Sequence, residues 1–186
     1  MVSDKKIKAK EKGNADGIKV YCCFDKIVNV KDLVPNPKNP NKHPKEQIEK
    51  LAFVIKNNGW RSPITVSNRS GMIVKGHGRL EAALFLKVNS VPVDYQDYDS
   101  DNAENADLLA DNRIAELSEE DNRKILALLE ECDAGDIDIE LTGFSDEDYR
   151  DLTSQFDEFC KKDEEETEPT ARKTVVCPHC GMEVKV

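Results

Sequence analysis

The sequence changes character close to residue 99, and this change limits the folds that the chain can adopt. Before that point, short β-branched segments alternate with helical segments and turns, whereas after it the apolar spacing is helical throughout. The net charge changes sign at the same place, because residues 24–98 carry +5 and residues 99–168 carry −20. The pattern predicts an α+β domain followed by an acidic helical region.

Five regions are predicted along the 186 residues. Residues 1–17 are basic and poor in apolar side chains, which predicts a flexible N-terminal tail. Residues 18–98 form the predicted α+β domain, and residues 99–160 form the acidic helical extension. An acidic linker over residues 161–173 leads to a small cysteine-containing knuckle at residues 174–186.

Three features exclude membrane insertion and argue against export. No apolar run approaches the roughly 18 residues that a membrane-spanning helix needs. Residues 1–12 are basic and lack the apolar stretch of a secretory signal. The six cysteines are not spaced like those of a secreted disulfide framework. We therefore expect a cytoplasmic protein with reduced thiols and no membrane partner.

Local patterns predict where several elements begin and end. Apolar residues at helical spacing predict a helix over residues 44–57, which Gly59 ends. Two β-rich runs at residues 63–67 and 72–74 predict a hairpin. The run Ser118-Glu119-Glu120-Asp121 has the form of a capping box and predicts a helix that Ser118 caps.

The segment Met72–Ala83 is the most informative part of the chain for function. Its pattern is a strand, a turn with glycines at Gly76 and Gly78, and a helix predicted from Arg79. Free N–H groups and the dipole at a helix start attract anions, and the glycines let a phosphate approach the backbone. Arg79 in the first turn opposes the dipole, which a bound anion would offset. His77 would be an acid/base group or a phosphate donor; the alternative is a plain tight turn with an exposed His and Arg.

Four boxes in the chain resemble those of the ParB/sulfiredoxin superfamily. Gly76–Ala83 resembles the box G-E-R-R-x-R-A-A, and Gly59–Ile64 is similar to the box G-x-x-x-P-I that precedes it. Leu33–Pro40 resembles the family's opening L-x-P-N-P-x-N-P. Leu109–Arg113 resembles the L-A-D-N-R form found in ParB-like domains of phages and of DNA-methylase fusions. Because the four boxes occur in the family's order and spacing, the chain is identified as a member over about residues 27–152.

The resemblance implies an α+β fold of the ParB/sulfiredoxin type, with a small mixed sheet and packed helices. It also implies binding of a nucleoside triphosphate, CTP or ATP, together with Mg²⁺. The residues selected for nucleotide or phosphate binding are Gly59, Arg61, Pro63, Ile64, Gly76, His77, Gly78, Arg79, Asn112 and Arg113.

Two departures from the main box bear on the function of this chain. His77 stands where ParB has a glutamate, and Gly78 stands where ParB has the next arginine. The catalytic cysteine of sulfiredoxin would also fall at His77. Sulfiredoxin chemistry through that thiol is therefore excluded.

Three functions remain open on the sequence alone. The first is a ParB-like, nucleotide-binding accessory protein of a phage or mobile element, acting in DNA partition, modification or regulation. The second is an enzyme of the same fold, an NTP hydrolase, phosphotransferase or nuclease, with His77 or Glu81 as acid/base and Arg79 as charge stabiliser. The third is a non-catalytic interaction protein whose acidic half docks a basic partner or imitates DNA.

Partners beyond the nucleotide are predicted from charge and from two cysteines. The basic half predicts weak, salt-sensitive and sequence-independent DNA binding, directly or through a partner protein. Cys177 and Cys180 have the C-x-x-C spacing of one half of a tetrahedral Zn²⁺ site. Zinc held within one chain, zinc shared in a homodimer and no metal at all stay open as alternatives.

Overall fold

The computed structural model describes residues 9–135 and 137–155, together with the backbone of two short strands at residues 174–176 and 183–185. The chain divides into two compact units, Met1–Ser145 and Asp146–Val186. The first unit contains all four sequence boxes. The predicted α+β class and small mixed sheet are confirmed.

A four-stranded mixed sheet lies at the centre of the first unit. Its strands are β3 (Lys26–Asn29), β4 (Ile64–Ser67), β5 (Ile73–Lys75) and β6 (Ser90–Gln96). Their order across the sheet is β3-β6-β4-β5. β6 pairs antiparallel with β3 and parallel with β4, and β4 pairs antiparallel with β5 across the predicted hairpin.

A separate two-stranded hairpin, β1 (Gly13–Ala15) and β2 (Ile18–Val20), precedes this sheet. β1 lies inside residues 1–17, for which the composition predicts a flexible tail. The order there has a tertiary cause, since Ala15 is fully buried and Asp16 accepts a 2.6 Å hydrogen bond from the Asn89 backbone N–H. The hydrogen bond joins positions more than 70 residues apart, so the local composition does not predict it.

Two helices cover the core of the first unit. They are α1 (Lys45–Asn58) and α2 (His77–Phe85), and they pack against each other. α1 buries Ile48, Ala52 and Ile55, as its apolar spacing predicts. Each fully buried aliphatic side chain contributes about 1.5–3 kcal/mol to the stability of the fold.

The first unit does not end at residue 98, where the change in charge and texture predicts a domain boundary. Helix α3 (Asp101–Glu116) is tied to the β4–β5 turn by the buried carboxylate of Glu104. This carboxylate accepts hydrogen bonds of 2.7 Å from both the Ser67 and Ser70 hydroxyls. The first part of the acidic extension is therefore packed onto the α+β domain, and the unit continues to Ser145.

Helix α4 (Asn122–Ala134) begins three residues later than the predicted capping box requires. Asp121 is its N-cap, and its carboxylate accepts hydrogen bonds from the backbone N–H groups of Arg123 and Lys124. Ser118 instead donates its hydroxyl to the Ala115 carbonyl at the end of α3. The prediction of Ser118 as N-cap is wrong, because an aspartate nearer the helix competes for the same role.

The second unit contains a helical segment at residues 146–155 and an antiparallel pair of strands, β7 (Thr174–Val176) and β8 (Glu183–Lys185). The predicted metal ligands Cys177 and Cys180 lie outside the described residues. Within the described residues, no helix combines the length and apolar character needed to cross a bilayer.

Candidate functional site

The connection between β5 and α2 is built around Gly76. Gly76 is the N-cap of α2 and has a φ of +92°, a conformation that side-chain-bearing residues rarely adopt. A Cβ at this position would lie 2.9 Å from Arg79 Nη1 and 3.4 Å from the Ile64 Cα. The helix starts at His77, two residues before the predicted start, and its first turn receives no side-chain cap. N–H groups of that turn are therefore available to a ligand.

A cavity of about 200 Å³ opens at this helix start. The first-turn residues His77, Gly78 and Arg79 line it together with Lys75. Residues from other parts of the chain also line it, among them Asn39, His43, Asp111 and Asn112. The cavity therefore joins three of the four boxes that the sequence analysis selected.

Arg79 contributes a half-buried cation to the cavity. Its Nη1 donates a 3.3 Å hydrogen bond to the Pro63 carbonyl, which holds the guanidinium in place. Burial lowers the pKa of Arg79, and the nearby carboxylate of Asp111 acts in the opposite direction. A partly desolvated guanidinium beside open helix N–H groups is suited to an anionic ligand.

Lys75 and two aspartates of α3 form an ion-pair network at the edge of the cavity. Lys75 Nζ lies 2.9 Å from Asp107 Oδ1 and 3.9 Å from Asp111 Oδ1. Burial raises the pKa of Asp107, but hydrogen bonds from Lys75 and Tyr98 outweigh this effect and hold it below its ordinary value. The sequence analysis selected Asn112 and Arg113 but missed Asp111, although it precedes them in the same box.

His77 does not lie at an exposed tip. Its Nε2 accepts a 3.1 Å hydrogen bond from the backbone N–H of Asn36, in the proline-rich segment 33–40. Nε2 must be unprotonated to accept this bond, so the ring is neutral. Burial and the neighbouring His43 lower the pKa of His77 in agreement with that role. The imidazole fixes one wall of the cavity, and its Nε2 is not available for acid/base work in this arrangement.

Acidification is expected to destabilise the protein through His77. A histidine whose pKa is lower in the folded than in the unfolded state binds fewer protons when folded, so stability falls as the pH decreases. The loss begins as the pH falls towards 6.5, the ordinary pKa, and is complete below the lower pKa of the folded state. Urea unfolding at about pH 7.5 and about pH 5.5 should show a larger loss for wild type than for His77→Gln. Equal losses would show that the Asn36 contact is not the pH-sensitive element.

His43 is a second residue that the sequence analysis did not select. The atoms of its ring lie 3.3–3.5 Å from the point where a Cβ of Gly78 would be, so the ring packs on the first turn of α2. Its Nδ1 lies 3.1 Å from Oε1 of Gln47 in α1. Gly78 therefore provides room for the His43 imidazole at the position where the ParB box has an arginine.

Two of the residues selected from the sequence do not line the cavity but contact residues that do. Pro63 supplies the carbonyl that Arg79 contacts, and Ile64 is fully buried behind Gly76. Asn112 lines the cavity while its side-chain amide donates to the Leu108 carbonyl.

Four selected residues lie away from the cavity. Arg113 is exposed and pairs with Glu116 at 2.9 Å, and Glu81 is exposed on α2 without lining the cavity. Gly59 and Arg61 contact Tyr21 at the far end of α1. Of the two alternative acid/base residues, His77 lines the cavity and Glu81 does not.

No cluster of three or more His, Cys, Asp or Glu side chains suited to a metal ion is present among the residues that the structure describes. A cation at this site would need ligands from a bound molecule in addition to the protein carboxylate Asp111.

The family model of the ParB N-terminal domain matches residues 10–112, which is more than half of the chain and includes the cavity-lining residues of three boxes. This chain belongs to the ParB N-terminal domain family. A curated relative, the ParB-like nuclease domain-containing protein YnaK of Escherichia coli K12, is 41% identical over 64 residues. This match covers 34% of the chain and 72% of YnaK.

Solved ParB proteins of Caulobacter crescentus resemble the chain more distantly. The C-terminally truncated ParB complexed with CTP-γ-S has 21% identity and a TM-score of 0.49, covering 57% of this chain and 61% of that one. The same protein complexed to the centromeric parS site has 17% identity and a TM-score of 0.41, with coverages of 69% and 64%. The chain thus spans about three fifths of the length of these solved chains.

Proposed function

We propose that the cavity binds the phosphate groups of a nucleoside triphosphate. The observation that carries this proposal is the meeting of the Arg79 guanidinium with the uncapped first turn of α2 in one small cavity. Both features favour an anion, and the glycines at 76 and 78 keep the backbone accessible to it.

The size and charge of the cavity favour phosphates over a whole nucleotide. Its volume of about 200 Å³ is smaller than the roughly 300–1,000 Å³ of typical small-molecule sites. Arg79 and Lys75 supply two cations, of which Lys75 also pairs with Asp107 and Asp111. Each charge-assisted hydrogen bond to phosphate contributes about 1.5–3 kcal/mol. The nucleoside would therefore extend out of the cavity.

Mg²⁺ fits the donor set when the phosphates are present. Protein-bound Mg²⁺ commonly takes one or two carboxylates and completes its shell with substrate phosphates and water. Asp111 would supply the carboxylate, and Asn112 beside it would supply a neutral donor. The bound ion would neutralise phosphate charge that Asp111 alone would repel.

Isothermal calorimetry of the full chain tests this proposal, with CTP and ATP titrated in parallel, each with and without Mg²⁺. We expect saturable binding of at least one nucleotide, and stronger binding with the metal. Absence of binding for both CTP and ATP at millimolar concentration, with and without Mg²⁺, would contradict the proposal.

The variant Asp111→Asn tests whether the Asp111 carboxylate binds Mg²⁺ or only repels the phosphates. If Asp111 holds Mg²⁺, the variant should bind the nucleotide about tenfold more weakly with Mg²⁺ and no more weakly without it. Calorimetry with and without the metal measures both affinities. Stronger binding of the variant under both conditions would show that Asp111 only balances Lys75 and Arg79. Glu116→Gln, which removes a carboxylate of α3 outside the cavity, is the matched control.

We further propose that nucleotide binding serves a DNA transaction of a phage or other mobile element, such as partition, modification or regulation. The L-A-D-N-R box at 109–113 supports this context, because it resembles the form found in phage and methylase-associated ParB-like domains. Contact with DNA would be weak, since the −20 charge of residues 99–168 opposes it.

A further inference from the structure

His43 adds a second imidazole to the cavity at the start of α2. It lies directly before Pro44, the N-cap of α1, and it lines the cavity. Its partly buried ring packs on the first turn of α2, where Nε2 lies 3.5 Å from the position that a Cβ of Gly78 would take. The imidazole therefore adjoins the turn for which phosphate binding is proposed.

The contact with Gln47 determines which ring nitrogen of His43 carries the proton in the neutral form. Nδ1 lies 3.1 Å from Gln47 Oε1. An amide oxygen only accepts hydrogen bonds, so Nδ1 donates and the neutral ring has no proton on Nε2. Within the described residues, Nε2 has no hydrogen-bond partner of its own. The neutral ring thus presents a lone pair at Nε2, which repels a phosphate oxygen, whereas the protonated ring presents an N–H donor.

The groups that line the cavity with His43 oppose its protonation until an anion is bound. Arg79 of α2 and Lys75 of β5 are cations and disfavour a further positive charge, while Asp111 of α3 favours it. His77 contributes no charge, because its Nε2 accepts a hydrogen bond and the ring is neutral. The phosphates of a nucleotide carry several negative charges, so their arrival would favour the imidazolium form of His43.

The charges on the segment of His43 itself act in the same direction. Lys42 precedes it and is exposed, and the positive end of the α1 dipole also disfavours an imidazolium. Lys45 and Glu46 follow in the first turn of α1, and each pairs with a side chain four positions further along the helix. A bound anion is therefore the group that changes the balance at His43.

We propose that His43 is a phosphate-binding residue that acts only in its protonated form, so that nucleotide binding takes up a proton. The proposal rests on the nucleotide site proposed above and adds to it a third cation whose presence depends on pH. Because the complex then binds more protons than the free protein, affinity rises as the pH falls from about 8 to about 6, where histidine side chains change charge. Burial holds the pKa of His77 below its ordinary value, so that ring resists protonation over the same range.

Isothermal calorimetry of the full chain at about pH 8 and about pH 6 tests the proposal, with CTP and ATP titrated in parallel and Mg²⁺ in excess. The affinity of wild type relative to His43→Gln should be within about twofold at the higher pH and about tenfold at the lower pH. This ratio cancels the titration of the nucleotide, which is the same for both proteins. The control Glu46→Gln removes a titratable side chain beside His43 that does not line the cavity, and it should follow wild type.

A second measurement uses wild type alone, so it does not depend on the folding of a variant. Calorimetry at about pH 7 in two buffers of different ionisation enthalpy counts the protons that accompany binding, and we expect net uptake.

The outcomes distinguish this inference from the nucleotide site on which it rests. Binding with the same ratio of wild type to His43→Gln at both pH values, or without net proton uptake, would overturn the inference and leave the nucleotide site in place. An equal change in Glu46→Gln would assign the pH dependence to the start of α1 and would also overturn it. Absence of binding at both pH values would overturn the nucleotide site and this inference together.

Discussion

Arg79→Ala is expected to reduce nucleotide affinity by about ten- to a hundredfold while the fold persists. The loss corresponds to one charge-assisted phosphate contact of about 1.5–3 kcal/mol. Stability should change little, because the guanidinium makes a single 3.3 Å hydrogen bond to the Pro63 carbonyl. Calorimetry gives the affinity, and thermal unfolding confirms that the variant is folded.

Two further variants make this prediction specific. Arg113→Ala removes the same charge from an exposed position next to the box residue Asn112, and it should bind the nucleotide normally. Arg79→Lys should recover part of the affinity, because it keeps the charge without the paired donors. Unchanged affinity in Arg79→Ala would remove Arg79 from the site.

Gly59→Ala is expected to lower the free energy of unfolding by about 3 kcal/mol or more. Gly59 has φ +73° and ψ 178°, a region that is essentially restricted to glycine and costs other residues about 1–3 kcal/mol. A Cβ would in addition lie 2.5 Å from the backbone oxygen of Lys19, which cannot move away without disturbing β2. The Trp60 N–H donates to this same oxygen at 2.8 Å, so the strain would reach the core.

A comparison of urea unfolding for Gly59→Ala and Gly71→Ala separates the conformational cost of a positive φ from the steric contact with the Lys19 backbone oxygen. Gly71 has nearly the same φ, +72°, but no neighbouring atom lies within 4 Å of the position that a Cβ would take. Only the conformational cost of about 1–2 kcal/mol therefore applies at Gly71. An equal loss in both variants would show that the contact between Gly59 and β2 does not contribute.

Elements with a strong local pattern were predictable from the sequence. The helix predicted over 44–57 is observed as Lys45–Asn58, and the hairpin strands differ from prediction by one residue. The apolar spacing and the stop at Gly59 decide these boundaries within a few neighbouring residues.

The start of α2 lies two residues before the predicted one because its support is not local. Histidine and glycine are weak helix formers, which favours a start at Arg79. Their place in the first turn depends on Asn36, which is 41 residues from His77, and on His43, which packs on Gly78. Contacts over such separations arise only when the proline-rich segment and α1 are in place.

The candidate site was predictable in part for a similar reason. Gly76 and Arg79 follow from one contiguous box, whereas Asp111 reaches the cavity only because α3 packs beside β5. Successive helical residues differ by about 100° in direction, so neighbours in the last box diverge. Asp111 and Asn112 face the cavity, while Arg113 turns to Glu116. The sequence motif therefore identifies the candidate residues, and the helix geometry determines which of them line the cavity.

The position of the bound phosphates tests the central claim most directly. Titration of ¹⁵N-labelled full-length protein with CTP or ATP and Mg²⁺ reports each backbone amide separately. We predict saturable shifts of the His77, Gly78 and Arg79 amides, with little change at Asn58 and Arg61. Saturable binding that shifts Asn58 and Arg61 but leaves His77–Arg79 unchanged would contradict phosphate binding at the start of α2.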